Sequence, residues 1–463
     1  MKTKRLFYFV VLGLCFPLLF TSCGGDENDD LPPGKAVSKL AFTDSDMDEG
    51  YIGGTLAWVL PNPESNIDRY VIYSGSSATD KNVLLGKVDK GSTSFEISHI
   101  VHAPYLLVIA SNAAGESNNI AALAVEDLTF DPGPMPVPMA GAYILNSGDE
   151  GKNNSSLDYI DLRNTADKAI ENDVFLARNQ RKLGDLAQDM IVYGSKIYIN
   201  VSVSKTIEVI DFEGKSIKQV QTEGQPRFLT SSGGKVYATL FNGYVIRLDT
   251  ASLAIDGTVQ VGRNPEQIVV ANNKLYVANS GGMDYDKPIG YDNTVSVIDI
   301  PTFKETKKIV VVHNPINLVT DSQGDVYLTS MEKYSLPPVF QRINANTDEV
   351  TVIKDVHASE MVSTGSKILF FYGGFDAQWN PLPIVYGSYD ALKEELIPGS
   401  FLQAGDEPKN PYKIFADNET ENIYITTSDY ISNGDVYAYF SGAFVQKWET
   451  GLNPIKVVFA RRP

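Results

Sequence analysis

From Gly141 to the end of the chain, apolar and polar positions alternate in short segments that recur at intervals of roughly 40 to 55 residues. Such alternation is typical of β-strands with one buried face. The clearest segment of each repeat has a Lys-apolar-Tyr core or a relative of it. Its copies are Ala142-Tyr143, Lys196-Ile197-Tyr198, Lys235-Val236-Tyr237, Lys274-Leu275-Tyr276, Val326-Tyr327, Ile368-Leu369 and Ile423-Tyr424. We therefore predict seven repeated units.

A second alternating segment follows each core, and in the clear copies it leads into aspartate. These segments are Tyr159-Ile160-Asp161, Val209-Ile210-Asp211, Ile246-Arg247-Leu248-Asp249 and Val297-Ile298-Asp299, with weaker copies at residues 341–344, 385–386 and 436–437. Turns that contain proline precede several units, as in Gly262-Arg263-Asn264-Pro265 and His313-Asn314-Pro315. A unit of four short strands cannot bury both of its faces alone, so residues 141–463 are predicted to form a seven-bladed β-propeller.

The last residues repeat the beginning of a blade. The segment from Leu452 to Ala460 has the turn and the innermost strand, whereas the first unit lacks its own copy before Gly141. We expect this last strand to complete the first blade, which would leave no open edge in the ring.

Before the repeats, residues 37–129 alternate in short segments bounded by turn residues, which predicts a β-sandwich. Trp58 lies on one predicted strand, and Tyr105-Leu106-Leu107-Val108-Ile109-Ala110 leads into Asn112-Ala113-Ala114-Gly115-Glu116-Ser117. These segments resemble a fibronectin type III domain, with Trp58 at the position of its core tryptophan. Residues 130–140 are rich in proline and are predicted to be a semi-rigid linker.

The N-terminus has the pattern of an export signal. Lys2, Lys4 and Arg5 precede an apolar run from Leu6 to Phe20, and the small residues after it lead into Cys23. Residues 1–22 resemble a bacterial lipoprotein signal peptide, which would make Cys23 the site of lipid attachment. The acidic tether 23–36 resembles the export signal of Bacteroidetes surface lipoproteins. The resemblance implies a lipid-anchored protein on the outer face of the outer membrane.

Composition narrows the possible partners. The chain of 463 residues has 39 Lys and Arg against 57 Asp and Glu, for a formal charge of −18. That sign does not suit nucleic acid, so no nucleic-acid partner is expected. The two cysteines are Cys15 and Cys23, so the rest of the chain can form neither a disulfide framework nor a cysteine-ligated metal site.

Motifs for catalysis are not found. The chain lacks the Gly-x-Ser-x-Gly elbow and the His-Glu-x-x-His pattern, and no EF-hand-like string of carboxylates is recognised. His99 and His102 are interpreted as surface residues because no carboxylate or cysteine accompanies them at a metal-like spacing. We therefore expect no enzyme activity, no catalytic residue, no metal and no cofactor. Asp189, Glu266 and Glu360, with His313 and His357 near the same face, leave a metal-dependent hydrolase at the axis as an alternative.

The long connections between the second and third strands of the blades are the best candidates for a binding surface. They carry aromatic and methionine side chains, and they share one face with the Asn-Pro turns. We call this the long-loop face. Exposed aromatic side chains there suit a bulky organic ligand. The predicted ligand-binding residues are Arg263, Asn264, Tyr285, Tyr291, Tyr334, Phe375, Trp379 and Tyr430.

The repeats resemble the YVTN-type propeller repeat, most plainly from Gly262 to Gly281. With Tyr291-Asp292-Asn293-Thr294-Val295-Ser296-Val297-Ile298-Asp299, they resemble the DUF5074 or YncE-like group of Bacteroidetes surface lipoproteins, which includes the BtuG-type proteins. The resemblance implies capture of cobalamin or another corrinoid and its transfer to a TonB-dependent outer-membrane transporter. A siderophore or a glycan would suit the same aromatic residues. A structural or adhesive protein that binds partners through its N-terminal half is a further alternative.

Overall fold

A computed structural model describes residues 31–46, 48, 50–127, 139–163, 170–331, 336–373, 382–405 and 407–462. The regular secondary structure of the described chain is almost entirely β-strand, and the chain divides into two compact units. The first holds the described part of residues 1–41, together with Ala57–Phe95 and Ala103–Ala124. The second holds Phe42–Leu56, Glu96–His102 and the described part of residues 125–463. Cys23 lies outside the described residues.

The N-terminal strands form two sheets, in the orders β1-β2-β5 and β4-β3-β6-β7, with β8 paired to β6. Trp58 is buried, and its ring centroid lies 5.9 Å from that of Tyr70. The predicted placement of Trp58 in a core is therefore confirmed. The strands are β1 Ser38–Ala41, β2 Tyr51–Val59, β3 Arg69–Gly75, β4 Val83–Asp89, β5 Ser94–Val101, β6 Tyr105–Asn112, β7 Gly115–Glu116 and β8 Ala121–Ala124.

The repeats fold as four-stranded antiparallel sheets, which we number in chain order. Sheet 1 has the order β11-β10-β9-β36, and each later sheet consists of four consecutive strands. Sheet 1 contains β9 Met139–Asn146, β10 Ser156–Asp161, β11 Ile170–Glu171 and β36 Pro454–Arg462. Sheet 2 contains β12 Ala187–Tyr193, β13 Lys196–Val201, β14 Thr206–Ile210 and β15 Ser216–Gln221. Sheet 3 contains β16 Pro226–Ser232, β17 Lys235–Leu240, β18 Tyr244–Asp249 and β19 Ile255–Gln260.

The remaining four sheets follow the same meander. Sheet 4 contains β20 Pro265–Ala271, β21 Lys274–Asn279, β22 Thr294–Asp299 and β23 Lys304–Val310. Sheet 5 contains β24 Pro315–Thr320, β25 Val326–Ser330, β26 Val339–Ile343 and β27 Val350–Val352. Sheet 6 contains β28 Glu360–Ser363, β29 Lys367–Tyr372, β30 Val385–Asp390 and β31 Glu395–Ile397. Sheet 7 contains β32 Pro411–Asp417, β33 Asn422–Thr427, β34 Asn433–Phe440 and β35 Ala443–Leu452.

The repeated sequence motif has a clear place in these sheets. The Lys-apolar-Tyr core is the second strand of its sheet, and this strand is nearly all buried, as in β17 and β21. Its lysine lies opposite the aspartate that ends the third strand, as Lys235 lies opposite Asp249 and Lys274 opposite Asp299. The repeat therefore encodes both the apolar core of a sheet and a cross-strand charge pair at its end.

The first strands of the sheets contact one another in a closed series. These strands are β36 in sheet 1 and then β12, β16, β20, β24, β28 and β32, and β36 contacts both β32 and β12. In sheet 1, β36 pairs with β9 over the register Pro454↔Asn146 to Arg462↔Met139. The expectation that the last strand completes the first sheet is thus confirmed. The fold is all-β and of the propeller type.

One α-helix and one 3-10 turn, Gly282–Asp284, interrupt the β-structure described here, and the sequence pattern did not predict the α-helix. Helix α1, Val174–Asn179, follows β11, and the Asp173 carboxylate accepts a hydrogen bond from the amide of Leu176 at 3.3 Å. Val174 and Phe175 are buried in the core between sheets 1 and 2. With six residues, of which two are buried, the helix is too short to establish helical periodicity in the sequence. Among the described residues, no helix has the length and apolarity needed to cross a membrane.

Candidate ligand-binding site

The long-loop face is organised by a turn that precedes the first strand of several sheets. Asn264, Asn314, Asn410 and Asn453 have φ between 44° and 58°, and each is followed by the proline that begins the strand. Asparagine tolerates this left-handed conformation better than most residues. Proline fits the first strand position because it has no amide hydrogen to pair.

These turns bond directly to the long connections. The Asn264 side-chain amide donates to the Phe241 carbonyl at 3.1 Å, and that of Asn314 donates to the Met331 carbonyl at 2.9 Å. The Ser428 hydroxyl donates to the Asn453 side-chain oxygen at 2.6 Å. The prediction that Asn-Pro turns and second-to-third connections share one face is therefore confirmed.

Arg263 stabilises the long connection of sheet 4. Its guanidinium pairs with Asp284, donates to the Gly290 carbonyl at 2.9 Å, and lies 3.6 Å from Asp292. Asn264 accepts a hydrogen bond from the amide of Met283 at 3.3 Å. These two predicted ligand anchors thus hold the loop in shape.

The described aromatic residues of the predicted site fall into two places. Tyr285 is 67% exposed on the connection of sheet 4, where Tyr291 is partly exposed. Tyr430 is 65% exposed on the connection of sheet 7, and its ring packs edge-on against Tyr412 at 5.6 Å. The fourth and seventh sheets therefore each present aromatic surface. Tyr334, Phe375 and Trp379 lie outside the described residues.

A groove beside sheet 6 lies on the long-loop face. It has a volume of about 400 Å³, within the range of small-molecule sites. Its wall includes the aromatic residues Phe370, Tyr372 and Tyr386 and the imidazole of His357. Tyr372 and Ile384 lie on either side of the predicted residues Phe375 and Trp379 in the chain. An adjoining cavity of about 410 Å³ shares Ile384, Tyr386 and Glu407 with the groove and extends to Asn410.

The polar groups of the groove are oriented by the backbone. The His357 Nδ1 lies 2.9 Å from the Pro338 carbonyl, and the ring centroid lies 5.7 Å from that of Tyr372. The Tyr386 hydroxyl donates to the Pro408 carbonyl at 3.1 Å, so its ring is fixed, and burial raises the pKa of Tyr386. Asp355 and Glu407 add negative charge to the rim. The sequence prediction missed Tyr372 and Tyr386, which belong to β-strands, because it considered only the loops between them.

The axis of the ring is a separate, narrower cavity of about 170 Å³. Residues from the first strands of all seven sheets line it. The three acidic residues that raised the hydrolase alternative each have a cationic partner there. Lys456 Nζ lies 2.8 Å from Asp189, Arg227 makes two hydrogen bonds to Glu266 at 3.0 and 3.2 Å, and Lys413 pairs with Glu360.

These ion pairs favour a structural role for the axis. Burial lowers the pKa of Lys413, but its attraction to Glu360 outweighs burial and holds that pKa above its usual value. Each carboxylate is thus already neutralised by a cation and is a poor ligand for a metal ion.

No protein-family model and no curated protein matches the chain. Among solved structures, a quinonprotein alcohol dehydrogenase-like protein from Bacteroides thetaiotaomicron is 14% identical with a TM-score of 0.50, covering 92% of this chain and 99% of that chain. Kuenenia stuttgartiensis hydrazine synthase is 15% identical with a TM-score of 0.49, covering 60% of this chain and 95% of that chain. At such identities a likeness bears on fold alone, and the first supports the propeller-type architecture.

Proposed function

We propose that this protein is a lipid-anchored surface lipoprotein that captures a bulky organic ligand on the long-loop face of a seven-bladed propeller. In this proposal the seven four-stranded sheets are the blades, and the N-terminal sheets form a fibronectin type III-like sandwich. Cys23 carries the lipid, and a TonB-dependent transporter receives the ligand. The protein acts by binding, without catalysis.

The observation that carries the proposal is the aromatic groove beside sheet 6. Tyr372 and His357 give the groove an aromatic wall that can exclude water from a large ring system. Hydrogen bonds to backbone carbonyls orient His357 and the buried Tyr386 behind it before a ligand arrives. A preformed groove loses little conformational entropy on binding. Tyr285 and Tyr430, exposed on the same face, extend the apolar surface beyond the groove.

The charge of the groove helps to order the ligand candidates. Asp355 and Glu407 are acidic, while Lys409 lies at the far end of the adjoining cavity. Negative charge beside the aromatic surface disfavours an anionic ligand such as a ferric siderophore. Cobalamin, a large ring system with neutral amide side chains, is therefore the first candidate, and a neutral glycan is the second.

The first experiment is absorbance spectroscopy of the purified chain from residue 24 onward, after incubation with cobalamin and removal of free ligand. We expect the unchanged chain to retain a corrin spectrum. In Tyr372→Ala and in His357→Ala the dissociation constant should rise at least about 10-fold, because each variant loses one aromatic contact with the ligand. Phe440→Ala, which removes an exposed aromatic from β34, is the matched control and should bind normally.

A colourless protein would contradict the corrinoid assignment, and the same variants would then be tested with neutral glycans and ferric siderophores. Normal affinity in both groove variants for every ligand that binds would contradict the groove as the site. Binding lost in Phe440→Ala would point to the outer strands.

A further inference from the structure

Two carboxylates and one imidazole meet in the second compact unit, away from the long-loop face. The His99 Nδ1 lies 2.9 Å from the Asp46 Oδ2 and 3.5 Å from the Asp48 Oδ2. One donor atom from each residue lies within 4.8 Å of the others. Ligand atoms that share a tetrahedral zinc ion lie about 2.0–2.2 Å from it and therefore about 3.3–3.6 Å from one another, close to the 2.9 and 3.5 Å found here.

The burial of this cluster is unusual for its charge. The Asp46 side chain is fully buried, and the side chains of His99 and Asp48 are 16% and 25% exposed. A fully buried aspartate needs a cation or several hydrogen-bond donors to compensate its charge. Across the described ranges, His99 is the one basic side chain within ion-pair distance of Asp46 or Asp48. Even a protonated imidazole leaves the group with one excess negative charge.

The two carboxylates also lie close to each other. Asp46 Oδ2 and Asp48 Oδ2 approach the same His99 nitrogen, at 2.9 and 3.5 Å. The two carboxylates therefore disfavour each other's ionised form. A divalent cation would neutralise both at once.

The surrounding groups orient the three donors. The His99 ring stacks on Tyr51 with centroids 4.2 Å apart and planes 6° apart. The Asp46 Oδ1 accepts the Asp48 amide at 3.0 Å, which leaves its Oδ2 directed to His99. Tyr193 forms a side-chain hydrogen bond with Asp48, and its hydroxyl accepts the Gly234 amide at 2.8 Å. Outer partners of this kind support the ligands in metal sites.

We propose that Asp46, Asp48 and His99 bind one first-row divalent cation, with zinc the best match to a set of one nitrogen and two oxygen donors. The ion would fasten the segment between β1 and β2 to strand β5. Waters would complete its coordination, and the site would be structural. This inference is independent of the ligand proposed for the long-loop face.

The structure here corrects one sequence interpretation. His99 does have carboxylate companions, because folding brings Asp46 beside it from 53 residues away in the chain. The signal that sequence reasoning missed is the alternation Asp44, Asp46, Asp48, which resembles the start of a calcium-binding loop. The metal site itself is our proposal, and the following experiment tests it.

The test measures zinc bound to metal-stripped full-length mature chain by equilibrium dialysis and elemental analysis. We expect one equivalent in the unchanged protein and at least about a 10-fold loss of affinity in Asp46→Asn and His99→Asn, since even loss of an outer partner has that effect. Asparagine preserves the hydrogen bond to the Asp48 amide in the first variant and tolerates the φ of 45° in the second. The exposed residues His313 and Asp80 provide the matched controls His313→Asn and Asp80→Asn, which should retain the equivalent.

Two further readouts separate ligation from folding. Cobalt(II) in the same site should give visible d–d absorption that both site variants lose. Zinc should raise the Tm of the unchanged chain and of the two controls, and it should leave the Tm of the site variants unchanged. If Asp46→Asn fails to fold by circular dichroism, Asp48→Ala, at a partly exposed position, decides in its place.

The proposal is overturned if the stripped protein takes up no zinc, or if the site variants bind zinc as the controls do. Uptake of calcium that His99→Asn leaves unchanged, without uptake of zinc, would also overturn it.

Discussion

Val458 of β36 lies opposite Tyr143 of β9 in an antiparallel ladder, which places the last strand of the chain beside the strand where the repeats begin. This pairing makes sheet 1 from residues at both ends of the repeat region. Val458 and Tyr143 also contribute to one apolar cluster with Leu145, Met190 and Ile199. Closure of the ring therefore buries apolar surface in addition to pairing backbone groups.

The first prediction concerns this closure. Ala460 is fully buried, so Ala460→Asp would place a carboxylate in the core without a cation and should reduce the free energy of unfolding by more than about 3 kcal/mol. Urea unfolding followed by tyrosine and tryptophan fluorescence measures the change. Val445→Asp, at a residue 51% exposed on β35, is the control and should change stability by less than about 0.5 kcal/mol. Equal effects of the two variants would show that closure does not stabilise the ring.

The second prediction concerns the ion pairs at the axis. Lys413→Met leaves the Glu360 carboxylate at the axis without its cation, and we expect it to cost about 3 kcal/mol. Adding Glu360→Gln should restore more than half of that loss because the uncompensated charge is removed. A double-mutant cycle by urea unfolding measures the coupling. Additive effects would mean that the two side chains do not stabilise each other.

The third prediction concerns the loop held by Arg263. Arg263→Ala removes the bonds to Asp284 and Gly290, so amide hydrogen exchange from residue 281 to residue 292 should accelerate. Because Arg263 is about one third exposed, the global loss should be only about 1 kcal/mol. Arg247→Ala, which breaks a surface pair with Asp256, is the control and should leave this loop unchanged. Unchanged exchange in Arg263→Ala would assign the order of the loop to its other contacts.

The fourth prediction concerns acid stability. The hydrogen bond from Lys235 lowers the pKa of Asp249 below its ordinary value of 3.8. The unfolded chain therefore binds a proton at this residue at a higher pH than the folded chain does. The stabilisation is fully present above pH of about 4 and is lost as the pH falls through the folded-state pKa. Tm measured from pH 6 to pH 2 should decline less steeply in Asp249→Asn than in the unchanged protein. Parallel curves would contradict the assignment.

Local pattern was enough to predict most of the fold. The alternation of Lys196-Ile197-Tyr198 and its copies predicts strands because a period of two exposes one face to the core. The turn at Asn453-Pro454 identified the closing strand because its sequence repeats that of other blades. Helix α1 was missed because Val174 and Phe175 are buried by neighbouring sheets, and no local periodicity marks them.

The candidate site was predicted less completely. Loop composition correctly assigned the turns and long connections to one face. It also suggested Arg263 as a ligand anchor, and it gave no sign that the Arg263 guanidinium bonds to its own loop. Tyr386 looked like an ordinary strand residue, and only its position beside His357 and Glu407 makes it part of a groove.

The sequence by itself determined the pattern of repeated strands and the charge, because these depend on neighbours along the chain. Tertiary structure alone decided which charges are neutralised. Asp189 meets Lys456 at the axis, whereas the basic group beside Asp46 in the described chain is the imidazole of His99, and nothing in the local sequence of either aspartate separates the two cases. The physical reason is that the energy of a buried charge depends on groups brought within a few ångströms of it by folding, wherever they lie in the chain.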